Sequence, residues 1–133
     1  MENLKQLVDR ITGVFLPAAT RNQSFFVNDV PNDLPVDNNP QWVASVLSRM
    51  LSTVVNHVKN TSIRLTAKRH GHEVILEVQE SGSENGFAMA SELQQVNSLA
   101  ERVGGHLSIS LPKANMTAIA FCFPNNMASS LAI

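Results

Sequence analysis

The chain has 133 residues, 44% of them apolar and 16% charged, and a net charge of −1. That is the length of one domain with enough apolar material for a real core, and it lacks the basic surplus that neutralises a phosphate backbone, so nucleic acid is not an expected partner. The single cysteine, Cys122, excludes an internal disulfide and any four-cysteine metal site.

No run reaches the about 18 apolar residues of a membrane span, so no membrane contact is expected. The opening Met1-Glu2-Asn3 and the amphipathic pattern behind it lack the basic region and apolar block of a secretory leader, which makes the cytoplasm the expected compartment. In residues 3–18, Leu4, Leu7, Val8, Ile11, Val14, Phe15 and Ala18 share one helical face. Gly13 weakens this first helix, and Pro17 is expected to end or kink it. Ser24-Phe25-Phe26-Val27-Asn28 is a short strand by its aromatic and β-branched content. A polar connection punctuated by Pro31 and Pro35 follows to Asn39, with Leu34 and Val36 placed to pin it to the body.

The stretch from Pro40 to Lys59 carries the strongest pattern. Trp42, Val43, Val46, Leu47, Met50, Leu51, Val54, Val55 and Val58 form a broad stripe on a helix. Pro40 suits its first turn, and Asn38 or Asn39 can cap it. Arg49, Thr53, Asn56 and His57 recur at helical spacing as a polar ridge, either the solvated side of a core helix or a face turned to a ligand.

Beyond it, Ser62–His70 alternates, His70-Gly71-His72 makes a turn, and Glu73–Glu80 returns with Val74, Leu76 and Val78 on one side, the pattern of a tight hairpin. Two histidines around one glycine, with no further ligands nearby, read as a turn rather than a metal site. The loop Ser81–Gly86 leads to a helical stripe of Leu93, Val96, Leu99, Ala100 and Val103, stopped by Gly104-Gly105. His106–Leu111 and Thr117–Phe123 are closing strands around Pro112–Asn115, and Cys122 in the second is expected to be a buried, inert thiol. Three one-sided helices need a sheet to cover. The expected fold is a two-layer α/β sandwich, about three helices on one face of a mixed, roughly five-stranded sheet, spanning residues 1–124 with a tail at 125–133.

This order and its segment texts resemble the ATP-binding catalytic domain of sensor histidine kinases, in the GHKL or histidine-kinase-like ATPase superfamily. The resemblance is carried by LKQLVDRITGVFLPAA, VLSRMLSTVVNHVKNTSIRL, VILEVQESG and LQQVNSLAERVGGHLSISLP with TAIAFCFP, and covers nearly the whole chain. It implies a Bergerat-type sandwich, a nucleotide site, and partners in two-component signalling: a kinase dimerisation domain or a response regulator.

Carried over position by position, the resemblance places Thr53 where the family's metal-binding asparagine stands, Arg49 one turn earlier, and Asn56 at its lysine position, followed by His57. Magnesium prefers hard oxygen ligands in tight geometry, and a threonine hydroxyl is a poorer one than an amide carbonyl. The adenine-reading aspartate becomes Glu80, longer by about 1.5 Å. Gly82 survives from the first glycine motif, while its second glycine is Glu84. The next glycine motif falls near Ala88, Ala90 and Glu92. Only Asn85–Phe87 remain where the family builds a lid, and Met116 replaces the last glycine beside a retained Thr117. The former nucleotide site implied in this way comprises Arg49, Thr53, Asn56, His57, Glu80, Gly82 and Thr117, with no catalytic residue, metal ligand or cofactor assigned.

Three functions remain open. The chain is a degenerate ATPase-like domain acting through protein contacts, with ATP binding lost or weak. Alternatively, it is a divergent but working ATP- and Mg2+-binding catalytic domain, with Glu80 reading adenine and Arg49 and Lys59 handling phosphates. The third is an ATP-independent histidine phosphotransfer module, for which His57 is the only helical histidine.

Overall fold

The structure, a computed structural model, describes residues 2–36, 39–82, 86–113 and 115–125. Along the chain run α1 (Leu4–Arg21), β1 (Phe25–Asn28), α2 (Pro40–His57), β2 (Ser62–His70), β3 (Glu73–Glu80), α3 (Gly86–Arg102), β4 (His106–Lys113) and β5 (Met116–Pro124). The strands form one sheet in the order β1-β2-β3-β5-β4, with β1 parallel to β2 and every other pair antiparallel. The three helices and the sheet share one apolar core, so the molecule is the expected sandwich of helices on a mixed five-stranded sheet.

Helix α1 begins with a capping box: the Asn3 side chain accepts from the Gln6 N–H at 2.9 Å and the Gln6 side chain accepts from the Asn3 N–H at 2.9 Å. Of the two outcomes expected at Pro17, the helix does not end there but continues through it to Arg21. Gly13 and Pro17 are both exposed, so the carbonyl that Pro17 cannot engage faces water, and the buried face resumes at Ala19. At its end the Asn22 side-chain amide donates to the Val55 carbonyl of α2 at 2.8 Å. Leu34 and Val36 do pin the connection: both are buried, and the Leu4 N–H donates to the Leu34 carbonyl at 2.8 Å.

Helix α2 is capped by Asn39, whose side chain accepts from the Gln41 N–H at 3.0 Å; Asn38 lies outside the described residues. It ends at His57, two residues short of the expected Lys59, with Val58 extended. Its stripe is buried from Val43 to Val58, but Trp42 in the first turn is 52% exposed and stands outside the core. The β2–β3 hairpin turns at Gly71, whose φ of 64° belongs to the left-handed region. Strand β4 runs to Lys113, longer than expected. It is an edge strand, and Pro112 sits in its register shift between Ser110 and Lys113, where no ladder donor is required. At Gly105 a Cβ would lie 2.2 Å from the Cys122 carbonyl, so the turn into β4 admits only glycine. Past β5, the Asn125 N–H donates to the His72 carbonyl at 2.7 Å and its side chain to the Pro35 carbonyl at 2.9 Å. The rest of the expected tail lies outside the described residues.

Leu47 on α2 has no exposed surface. Leu47→Ala is expected to lower unfolding free energy by about 2–5 kcal/mol in denaturant titration, whereas Trp42→Ala should change it by no more than about 1 kcal/mol.

Candidate functional site

The core-facing alternation of β3, Val74, Leu76 and Val78, ends in a carboxylate, Glu80, which is only 2% exposed. Its register partner on β5 is Thr117, also buried. One carboxylate oxygen, Oε2, accepts from the Gly82 N–H at 2.7 Å. The other, Oε1, is buried with no hydrogen-bond partner among the described residues. An acceptor withdrawn from water and left without a partner is costly, which singles this atom out among the described residues.

Gly82 approaches the α2–β2 connection too closely for any side chain. A Cβ there would stand 2.5 Å from the Lys59 carbonyl and 2.9 Å from the Thr61 side chain. The Lys59 N–H also donates to the Gly82 carbonyl at 3.3 Å. The glycine therefore serves a backbone contact in this structure.

The polar ridge of α2 divides four ways. Thr53 is buried in the helix layer, and Asn56 is exposed. His57 reaches α3, its Nε2 lying 3.0 Å from Glu92 Oε1. Arg49, about 12 Å earlier along the helix at 1.5 Å per residue, lines an outward cleft with Ser48, Ser52 and Leu99. The structure thus brings Glu80, Thr117 and Gly82 together at the ends of β3 and β5, and sets Arg49 apart from His57 on the same helix. The His57–Glu92 contact escaped sequence reasoning because the partners are 35 residues apart and no local spacing couples them.

Helix α3 starts at Gly86, so β3 and α3 are joined by only Ser81–Asn85. Of these, Ser83, Glu84 and Asn85 lie outside the described residues. Ala88 and Ala90 sit within the first turns of α3 around the fully buried Met89. Among the described residues no group of three or more His, Cys, Asp or Glu side chains is placed to hold a metal ion. His70 and His72 are exposed at the hairpin turn. Cys122 is a buried free thiol, and its pKa is pushed up to about 11, first by burial and then by its hydrogen bond to and the negative charge of Glu73. No helix among the described residues is long and apolar enough to cross a membrane.

By sequence, neither a protein-family profile nor a curated protein matches the chain. By structure, it is similar to the histidine kinase AdeS of Acinetobacter baumannii, with a TM-score of 0.79 and 12% identity over 93% of this chain and 66% of that one. The catalytic domain of the histidine kinase ThkA superposes with a TM-score of 0.74 and 17% identity, over 93% of this chain and 94% of that domain. ThkA in complex with the response regulator TrrA gives 0.72 and 17%, covering 93% of this chain and 41% of that one. The chain spans just under two thirds of the matched AdeS chain. It has the fold of a histidine-kinase catalytic domain.

Two measurements check the local geometry. Gly82→Ala should destabilise the fold by about 1–3 kcal/mol, since a methyl must displace backbone; equilibrium unfolding reads this. Because the folded Cys122 thiol titrates above its ordinary value, its alkylation by iodoacetamide should be slow at pH 8 and rise only as the pH nears that of its own titration. In urea, alkylation at pH 8 should be fast.

Proposed function

We propose that the chain is a degenerate histidine-kinase ATPase-like domain of two-component signalling, acting through protein contacts with ATP binding lost or weak. The observation that carries this reading is the way α3 follows β3. Five residues join them, too few for a lid over a nucleotide, and the His57–Glu92 contact ties α3 to α2. The fit of ATP and Mg2+ to the residues present is uneven. At the base end, Glu80 Oε1 is an empty buried acceptor that suits an amino group. At the phosphate end, Gly82 is occupied by its approach to Lys59, and Arg49 lies in the outward cleft. At the metal position, Thr53 offers one buried hydroxyl with no carboxylate cluster to join it among the described residues.

The protein partner on this reading is a kinase dimerisation domain or a response regulator. The fold likeness to ThkA, which occurs in a complex with a response regulator, supports that choice. A second reading, a divergent ATP-binding catalytic domain, draws its support from Glu80 Oε1 alone. Phosphotransfer through His57 is disfavoured by the engagement of its Nε2 with Glu92.

Calorimetric titration with a non-hydrolysable ATP analogue, with and without Mg2+, separates the first two readings. The expected result is no saturable heat at low-millimolar nucleotide. A ligand present at 100 times its dissociation constant stabilises a fold by about 2.7 kcal/mol, so a Tm rise of several degrees that Glu80→Ala abolishes would establish the second reading instead.

A further inference from the structure

Helix α2 is the middle helix of the layer, packed by α1 on one side and α3 on the other. Its outward line, Ser45, Ser48 and Ser52, runs for about 10 Å, two turns at 1.5 Å per residue, and Arg49 stands within it. Phe15 of α1 and Leu99 of α3 wall this line to form an open cleft of about 540 Å³. The turn of α1 that carries Phe15 also exposes Val14 and Leu16. From Arg49 a narrower cleft of about 180 Å³ continues between α2 and α3 past Gln95 and Ser98 to Arg102. Among the described residues, neither Arg49 nor Arg102 is in an ion pair, while Arg10 and Arg64 each are.

A floor of small side chains lets another backbone approach closely, half-buried apolar walls offer area to cover, and unpaired guanidiniums at one end call for carboxylates. A second copy would bring no carboxylate to these arginines, since neither cleft has an Asp or Glu among its described lining residues. We propose that this groove docks a single amphipathic helix from another protein. Its small or apolar face lies on the serine line between Phe15 and Leu99, and its carboxylates meet Arg49 and Arg102. The groove lies on the outward side of α2, whereas Glu80 faces the core from the sheet. The inference rests on the protein-contact reading for its class of occupant, but its test uses no nucleotide, so either can fail without the other.

The probe is a synthetic helical peptide with alanine and leucine along one face and two glutamates at one end of that face; its control carries lysines in their place. Amide chemical shifts of the full chain are followed during titration. The expected result is saturable shifts centred on Phe15, Ser45, Ser48, Ser52 and Leu99 for the glutamate peptide. Binding should weaken about tenfold or more in Arg49→Glu/Arg102→Glu and fall with added salt, and that variant should prefer the lysine peptide. Ser48→Trp, which fills the floor and leaves both arginines, should also abolish binding, and thermal unfolding confirms that each variant is folded. No saturable shift at low-millimolar glutamate peptide, equal shifts with the lysine peptide, shifts confined to the open face of the sheet, or self-association of the chain through these residues would each overturn the proposal.

Discussion

The burial of α2 is the constraint on which the rest depends. Val43, Val46, Leu47, Met50, Leu51, Val54 and Val55 are removed from solvent on one helix, and each large aliphatic side chain so buried contributes about 1.5–3 kcal/mol. Among the described residues it is the helix that packs against both α1 and α3, and the shared core beneath them extends to the sheet. With its inward face committed in this way, the rotation of α2 about its axis is fixed. Every other side chain on it then has its direction assigned: Thr53 falls inside the layer, His57 reaches α3, and Arg49 looks outward.

The sheet meets this helix layer with an apolar alternation that closes on a charge. Glu80 occupies the position after Val78 on the core face, so its carboxylate is enclosed by packing that other residues set. The Gly82 N–H satisfies one oxygen at 2.7 Å, and the tight turn that supplies it is held by the approach of Gly82 to the Lys59 carbonyl. Two backbone requirements thus converge on one glycine: it must give an N–H to the carboxylate and leave no side chain in the way of α2's exit. The second oxygen is a buried acceptor with no partner among the described residues, a local cost of the kind that globular cores keep rare.

The parts of this arrangement legible in the sequence are those set by periodicity. The paired stripe of α2, the alternation of β3 and the Gly71 hairpin each repeat a local rule often enough to overrule a single exception. Other features depend on what lies opposite in space. Pro17 reads as a helix end or kink by local rule, yet its lost hydrogen bond faces water and the helix continues. Pro112 reads as a strand end, yet it lies on the edge strand, where a missing donor costs little. The α2 ridge was legible as a ridge, but spacing along one helix cannot say that Arg49 and His57 serve different neighbours. Likewise, Glu80 was identifiable as a candidate by its place at the strand end, whereas the imbalance between its two oxygens emerges only once Gly82 and Thr117 are packed around it.

The division of α2 bears on how such a domain can change its work without changing its shape. Residues that hold the sandwich together lie on the helix's inner stripe, while His57 and Arg49 lie at its margins. Substituting marginal residues disturbs little of the shared core, because stability resides in the buried stripe and the strands beneath it. The fold can therefore match histidine-kinase catalytic domains at 12–17% identity, with such a margin free to carry different chemistry. The outward serine line is part of the same geometry. A helix with both neighbours packed along its sides leaves its back as the floor of a groove, and two guanidiniums there give that groove a sign.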